Sequence, residues 1–136
     1  MRLEITRRSD LATRALLELA RHGERMKSIV LAAKVGTTPG FLSQAMTPLV
    51  ARGWVRSEPG PSGGYTALVD LADVSVLDVI EAVEGVTDTG RCVLEDRPCS
   101  GGEPCALHRP WASARSNLLG ELSGTPLSSI GPGRSA

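Results

Sequence analysis

Aromatic residues are scarce in this chain of 136 residues, which contains one Phe, one Tyr and two Trp. The core of a β-sandwich is usually rich in aromatic and β-branched side chains, so this composition favours packed helices with a core of Leu, Val, Ala and Ile. The length predicts one domain, or one domain with an arm. The core of such a small monomer is limited, and we therefore expect a dimer.

Long apolar runs are also missing. No run approaches the roughly 20 residues of a membrane span, and charged residues occupy the N-terminus where a signal peptide has its apolar stretch. The sequence therefore predicts a cytoplasmic protein with no membrane partner. Thiols are kept reduced in the cytoplasm, and an odd number of cysteines, three here, favours a metal or redox site over a disulfide framework.

The three cysteines lie in one segment of 14 residues, Cys92-x6-Cys99-x5-Cys105, and His108 follows three positions after the last one. Gly and Pro residues in this segment indicate a loop that folds around something other than an apolar core. Thiolates select zinc, copper(I) or iron-sulfur clusters. The spacing is wider than the tight pairs of zinc ribbons and lacks the cysteine run of bacterial ferredoxins. The segment predicts a metal or cluster site without deciding which.

The charges are unevenly distributed. Residues 1–65 carry ten Lys and Arg against five acidic residues, whereas residues 66–136 carry five Arg against ten acidic residues. A basic half is typical of a nucleic-acid-binding surface. An uneven division between two solvated faces explains the same numbers, so charge alone does not decide between the two interpretations.

The first 36 residues predict two helices. Ser9 or Asp10 can cap the first, whose apolar residues recur at helical spacing until Gly23. A shorter helix follows over about 28–34, and Gly36 ends it.

A third helix is predicted to begin with Thr38 as its cap and Pro39 at its first position. Pro48 should kink or end it near residues 44–47. Two helices joined by a Gly-containing turn indicate a helix-turn-helix motif, in which the second helix enters the DNA major groove. Its polar face suits this role, because Gln can pair with adenine through two hydrogen bonds. That face is formed by Gly40, Ser43, Gln44 and Thr47.

Two extended runs follow, residues 54–57 and 65–68, and a Gly- and Pro-rich stretch joins them. A β-hairpin directly after a helix-turn-helix motif is a wing. Ser75 then caps a further helix, with Asp78 placed to complete a capping box, and Gly85 ends it.

Pro110 lies in the first turn of a last predicted helix. One side of this helix is too apolar for a small domain to bury alone, so it is the candidate dimer interface. The apolar stripe consists of Trp111, Ala114, Leu118, Leu119 and Leu122.

The predicted fold is mainly α with a small β-wing: a winged helix-turn-helix and a long C-terminal dimerisation helix. We assign DNA binding to residues 1–84, the cysteine loop to 85–107, dimerisation to 108–123 and a disordered tail to 124–136.

The order of these features resembles the bacterial IscR/NsrR family of Rrf-type winged-helix regulators over about residues 1–123. The resemblance depends on several motifs together. They are Met-Arg-Leu at the start, residues 15–20 of the first predicted helix, Pro-Ser-Gly-Gly-Tyr at 61–65, residues 77–85 of the helix that Ser75 caps, and Cys-Ala-Leu-His-Arg-Pro-Trp at 105–111. It implies a homodimeric transcription factor that binds a palindromic operator in double-stranded DNA and carries an iron-sulfur cluster near the dimer interface.

The resemblance also implies the ligands. Cys92, Cys99 and Cys105 take the places of the family's cluster cysteines. His108 corresponds to the fourth ligand in members of the family that hold a 2Fe-2S cluster, and we favour this alternative. Asp10 of the other subunit corresponds to the fourth ligand in members that hold a 4Fe-4S cluster. Asp10 as a simple helix cap and His108 as a simple helix-start residue remain alternatives.

The DNA contacts follow from the same comparison. The wing has Glu58 and Pro59 where the family often has Arg, so Arg56 is the nearest substitute. The candidate contacts are Thr38, Pro39, Gly40, Ser43, Gln44, Thr47, Arg56, Ser62, Gly63, Gly64 and Tyr65.

Three functions fit these features. The first is a repressor whose operator affinity is controlled by an iron-sulfur cluster that senses redox state, iron or nitric oxide. The second is a winged-helix regulator with structural zinc or a thiol switch and no cluster. The third is a small iron-sulfur electron carrier, which needs neither a wing nor a recognition helix. We expect no enzyme, since the sequence shows no grouping of nucleophile, base and oxyanion donors.

Overall fold

The computed structural model describes residues 1–95, 97–99 and 104–131. Its three strands form one antiparallel sheet in the order β1-β3-β2. The described part of the chain contains no helix that is long and apolar enough to cross a membrane. In chain order the elements are α1 (Arg7–His22), β1 (Met26–Lys27), α2 (Ser28–Val35), α3 (Pro39–Ala51), β2 (Val55–Glu58), β3 (Gly64–Ala67), a 3-10 turn (Leu71–Asp73), α4 (Val76–Glu84), α5 (His108–Ser123) and a second 3-10 turn (Leu127–Ser129).

The core lies between the first four helices and the inner face of the sheet. Leu11 and Leu16 of α1 meet Leu42 of α3 and Val79 of α4 in one fully buried cluster. Burial of these aliphatic side chains supplies the main driving force for folding. The core therefore has the composition that the scarcity of aromatic residues predicted.

The cap of α1 differs from the prediction. Thr6 caps the helix, and its Oγ1 accepts a hydrogen bond from the Ser9 N–H at 3.1 Å. Ser9 and Asp10 lie within the first turn, where Asp10 forms an ion pair with Arg14 at 3.0 Å. Assigning the cap to Ser9 or Asp10 was therefore wrong, because Thr6 is also a strong capping residue and the chain is still extended there.

Helix α3 continues through Pro48 to Ala51, so the predicted end near residues 44–47 is wrong, and the predicted kink stays a prediction. Proline removes only the hydrogen bond from its own nitrogen. Met46 and Leu49 on either side of it are fully buried, and packing of the apolar face keeps this turn helical. The cap residue Thr38 is as predicted, and its Oγ1 accepts from the Phe41 N–H at 3.2 Å.

The wing is the hairpin of β2 and β3, which pair from Val55 with Ala67 to Glu58 with Gly64. The two-residue strand β1 was not predicted, and it pairs with the other edge of β3. Gly64 is required there, because a Cβ atom would lie 2.5 Å from the Met26 carbonyl oxygen. The predicted capping box of α4 is present.

The segment after α5 packs on the core. Leu127 is fully buried, and its N–H donates to the Val74 carbonyl at 2.8 Å. The Val76 N–H donates to the Thr125 carbonyl at 2.9 Å. The prediction of a disordered tail from Gly124 is therefore wrong for residues 124–131, and residues 132–136 lie outside the described part of the chain.

Candidate functional site

The three thiols come together. The sulfur atoms all lie within 4.8 Å of one another, and the Cys99 and Cys105 Sγ atoms are 3.9 Å apart. Backbone hydrogen bonds close the first part of the loop, from the Cys92 N–H to the Arg97 carbonyl at 2.8 Å and from the Cys99 N–H to the Gly90 carbonyl at 3.2 Å. The six-residue spacing therefore makes a small turn that places Cys92 beside the other two thiols.

A cavity of about 440 Å³ adjoins the thiols. Cys99, Cys105 and His108 all line it. His108 is the first residue of α5, and its N–H donates to the Cys105 carbonyl at 3.0 Å. Asp10 is not among the described residues that line this cavity, whereas His108 is, although the described ligand atoms that lie within 4.8 Å of one another are the three cysteine sulfurs alone.

The pKa values of the Cys92 and Cys99 thiols are shifted in opposite directions. The backbone amides of Leu94 and Glu95 donate to the Cys92 sulfur and lower its pKa to about 7. For Cys99, the backbone amide of Cys105 lowers the pKa, but the Cys92 thiol, burial and the Cys105 thiol outweigh it and raise the pKa above its usual value. Because metal ligands must be deprotonated, Cys92 is better prepared than Cys99 to bind a soft cation at neutral pH.

Positive charge also borders this cavity. Arg115 of α5 lines it, and its Nη1 lies 3.4 Å from the Asp88 Oδ1. Arg91 also lines the cavity, so among the described lining residues two arginines face the single carboxylate of Asp88, and this excess of positive charge would offset the negative charge of a thiolate-ligated centre. The sequence analysis missed Arg115, although its spacing of seven residues from His108 places both on one helix face.

The donor set can hold a metal. Three thiolates and one imidazole fit zinc and also an iron-sulfur centre. Thiolates that share one tetrahedral ion at about 2.3 Å are roughly 4 Å apart, which agrees with the 3.9 Å between Cys99 and Cys105. Two thiolates on one iron of a 2Fe-2S cluster have the same separation, so this pair also fits a cluster. The Cys92 sulfur, which lies within 4.8 Å of both, must move away to reach the second iron.

The polar side of α3 is exposed. Gly40, Ser43, Gln44 and Thr47 lie opposite the buried apolar side. The Thr47 hydroxyl donates to the Ser43 carbonyl at 2.8 Å. Within the described chain the Gln44 amide has no hydrogen-bond partner, which leaves it available to a base edge. Thr38 and Pro39 at the start of the helix are also exposed.

The wing residues fall into two groups. Arg56 and Ser62 are exposed, and the Arg56 Nε lies 3.9 Å from the Glu58 Oε1. Gly64 and Tyr65 are buried, and Gly63 is half-buried. Tyr65 shares a cavity of about 290 Å³ with residues of α3. Tyr65 therefore borders the recognition helix, whereas Gly63 and Gly64 lie against Ser28 and Met26.

A polar contact joins α4 to α1. The Glu84 carboxylate accepts hydrogen bonds from the Ser9 hydroxyl and from the Thr6 N–H, the latter at 3.3 Å. The Arg8 Nη2 donates to the Val83 carbonyl at 2.9 Å. The cysteine loop begins directly after Glu84, so its first residues are connected to the DNA-binding domain through this contact.

Comparison with known proteins decides the family. The model for Rrf2, described as iron-dependent transcriptional regulator, matches residues 5–131. The chain belongs to the Rrf2 family. A protein of Azotobacter vinelandii named as an HTH-type transcriptional regulator, ORF2, is 30% identical over 130 residues, which cover 94% of this chain and 79% of that protein. The HTH-type transcriptional regulator IscR of Photorhabdus laumondii is 28% identical over 130 residues, which again cover 94% of this chain and 79% of that protein.

Two solved structures show the same fold. The oxidized form of Staphylococcus aureus CymR has a TM-score of 0.73 at 21% identity, and the match covers 98% of this chain and 100% of the CymR chain. T. potens IscR has a TM-score of 0.71 at 20% identity, with 93% of this chain and 84% of that chain covered.

Membership in the Rrf2 family makes this protein a DNA-binding transcriptional regulator. The predicted winged-helix fold, mainly α with a small β-wing, is confirmed. The relatives carry the names of transcriptional regulators, a non-enzymatic class, so the prediction that this Rrf2 protein is not an enzyme is confirmed as well.

Proposed function

We propose that this Rrf2 protein is a homodimeric repressor whose affinity for a palindromic operator is controlled by an iron-sulfur cluster that senses redox state, iron or nitric oxide. The observation that carries the proposal is the convergence of three thiols beside one cavity. The description of the family as iron-dependent and the IscR names of several relatives support it.

Cys92, Cys99, Cys105 and His108 would hold a 2Fe-2S cluster, because His108 lines the same cavity as Cys99 and Cys105, and Cys92 lies beside these two thiols. Asp10 of the other subunit as fourth ligand would instead give a 4Fe-4S cluster. When bound, the cluster supplies a group that changes with oxidants, iron supply or nitric oxide. The chain supplies thiolates and, through Arg115, a compensating positive charge.

The dimer interface of the proposal is the apolar side of α5. None of the 16 residues of this helix, all of which the structure describes, is buried within one chain. Trp111 and Leu118 are 36% and 45% exposed. A second copy of α5 would cover this side. Trp111 and Arg115 also line the cysteine cavity, so the cluster would lie beside the interface.

The DNA interface of the proposal combines α3 and the wing. Gln44 would read a base in the major groove, and Arg56 would contact the phosphate backbone. Ser62 and its neighbours at the tip of the hairpin would lie along the adjacent groove. Two such surfaces in a two-fold dimer would read two half-sites of a palindrome.

The spacing of the sulfur atoms favours a second candidate, a winged-helix regulator with zinc or a thiol switch. All three sulfurs lie within 4.8 Å of one another, which suits a single ion better than two irons. Such a protein would bind DNA through the same surface, and only its response would differ.

Anaerobic purification followed by absorption spectroscopy and analysis of iron, acid-labile sulfide and zinc separates these candidates. We expect coloured protein that contains iron and sulfide. Cys99→Ala should remove the colour and leave the helicity unchanged in circular dichroism, because the loop lies outside the helical core. Leu94→Ala is the control, since this exposed loop residue offers no ligand. Colourless protein with one zinc ion per chain would reject the cluster and favour the second candidate.

A further inference from the structure

We propose that Arg25 is a wing-positioning residue, whose guanidinium holds the tip of the wing in the orientation that DNA binding requires. Arg25 lies in the connection between α1 and β1, outside the recognition helix and outside the wing. The inference depends on the DNA interface proposed above, and it assigns a role to a residue that lies in neither of its two elements.

Arg25 contacts both sides of the hairpin turn. Its Nε donates to the Glu58 Oε2 at 2.8 Å, and its Nη2 donates to the Ser62 carbonyl. Glu58 is the last residue of β2, and Ser62 lies in the turn that leads to β3. The planar guanidinium offers several donors in a fixed arrangement, so one side chain can fix two points of the turn at once. We call Arg25, Glu58 and Ser62 the wing clamp.

Neighbouring backbone contacts reinforce the wing clamp. The Ser28 N–H donates to the Gly63 carbonyl at 2.9 Å. A Cβ atom on Gly64 would lie 3.2 Å from the Arg25 Cζ, so the guanidinium packs directly against the strand. Ser28 is the first residue of α2, the first helix of the helix-turn-helix. The tip of the wing is thereby joined to the helix that packs against α3.

The wing clamp also pairs the negative charge of Glu58 with the positive charge of Arg25. The Glu58 carboxylate lies 2.8 Å from the Arg25 Nε and 3.9 Å from the Arg56 Nε. Pairing with Arg25 keeps this carboxylate turned to the wing turn, where its second oxygen still lies near Arg56. Because Arg25 is already paired with Glu58, we expect it to hold the wing and not to neutralise a phosphate itself. Loss of Arg25 would therefore weaken binding without removing a phosphate contact.

This distinction gives a measurable difference. The dependence of affinity on salt reports the number of phosphates that the protein neutralises, and a variant that loses one such contact lowers the slope by about 1. A variant that loses only the position of the wing keeps the slope and loses affinity. Arg25→Lys keeps the charge but not the arrangement of donors, so a positioning role predicts that it behaves like Arg25→Ala.

The test uses the full-length protein and a labelled duplex that the wild type selects from a random-sequence pool. Arg25→Ala and Arg25→Lys should each bind it roughly 5- to 30-fold more weakly, which corresponds to 1 to 2 kcal/mol, with an unchanged salt slope. Glu58→Ala should give a similar loss, and the Arg25→Ala, Glu58→Ala double variant should be no weaker than either single variant. Arg21→Ala is the matched control, because this arginine pairs with Glu18 on α1 and does not contact the wing.

Hydrogen exchange tests the wing clamp without DNA. Amides of the peptide 55–68 should exchange faster in Arg25→Ala than in the wild type, whereas those of α4 should not change. A salt slope reduced by about 1 would overturn the proposal in favour of a direct phosphate contact. Unchanged exchange in the wing would overturn it whatever the DNA result. Faster exchange in the wing, together with a wild type that selects no duplex, would retain the wing clamp and reject the DNA interface.

Discussion

The fourth ligand is the residue on which the type of cluster depends. His108 lines the cavity beside Cys99 and Cys105 in the same chain. The Asp10 carboxylate instead pairs with the Arg14 guanidinium. The Arg14 Nε and Nη2 lie 3.1 Å and 3.0 Å from the Asp10 Oδ2. Both contacts use Oδ2 of Asp10, so they do not by themselves exclude Asp10 as a ligand in the other subunit. Because His108 lines the thiol cavity in the same chain, we favour it as the fourth ligand of the proposed 2Fe-2S cluster.

We predict that His108→Ala makes the cluster labile, whereas Asp10→Ala does not. Asp10 is half-exposed and is not the helix cap, so its loss should reduce the free energy of unfolding by only about 0.3 to 0.5 kcal/mol, as for other pairs of this spacing. The measurement is the rate of loss of visible absorbance when a chelator is added anaerobically. Rapid loss in Asp10→Ala together with a stable cluster in His108→Ala would contradict this assignment and favour a 4Fe-4S cluster held between subunits.

At the residue scale, local rules were predictable and distant contacts were not. The caps at Thr38 and Ser75 follow from residue type and spacing of three positions, so sequence was sufficient for them. The cap at Thr6 was missed because Ser9 and Asp10 satisfy the same rule three or four positions later. The contact of Arg25 with Glu58 joins residues 33 positions apart, and no periodic pattern marks such a pair.

At the scale of elements, features set by local sequence were again predictable and features set by distant contacts were not. The helices were predictable because apolar periodicity extends over several turns. The strand β1 has only two residues, which is too short for any period, and it exists because β3 offers it an edge. Helix α3 passes through Pro48 because its buried side is long enough to outweigh one missing hydrogen bond. Tertiary packing decided both cases.

The segment after α5 gives a prediction at this scale. Leu127 is fully buried in the main core, so Leu127→Ala should lower the free energy of unfolding by about 2 to 5 kcal/mol through lost burial and the cavity that remains. Urea denaturation followed by circular dichroism measures this change. Ser128→Ala is the control, because Ser128 is exposed beside it and should have little effect.

A loss below about 1 kcal/mol in Leu127→Ala would show that the segment contributes little to the fold, in the range of ordinary surface substitutions. It would also support the prediction, made from the Pro, Ser and Gly content, that this segment is a disordered tail. The composition misled because Pro, Ser and Gly dominate the segment while one Leu decides its position. The buried bond from the Leu127 N–H to the Val74 carbonyl, 2.8 Å long, could not be inferred from composition.

At the scale of the whole molecule, charge and chemistry are divided along the chain. The basic half contains α3 and the wing, and the acidic half contains the cysteine loop and α5. The thiol site was predictable because all three cysteines are local in sequence. Its connection to the DNA-binding domain was not, since Glu84 reaches Ser9 across 75 positions.

The contact of Glu84 with α1 offers a route by which the proposed cluster would act on the proposed DNA interface. The cysteine loop follows Glu84 and leads into α5, so binding a cluster should fix how α4 and α5 meet and thereby set the distance between the two recognition helices of a dimer. An effector can shift DNA affinity only by its own difference in affinity for the two conformations, and coupling energies of this kind are typically about 1 to 3 kcal/mol.

We therefore predict that protein with and without its cluster differs roughly 5- to 150-fold in affinity for the selected duplex, with little change in binding to unrelated DNA. Titration of one labelled duplex with both forms at fixed salt measures this ratio. Glu84→Gln should retain the cluster and reduce the ratio, because the neutral amide loses the charge-assisted bond from the Ser9 hydroxyl. Glu121→Gln, an exposed acid of α5, should leave the ratio unchanged. Identical curves for the two forms of the wild type would mean that the cluster, although bound, does not control the operator.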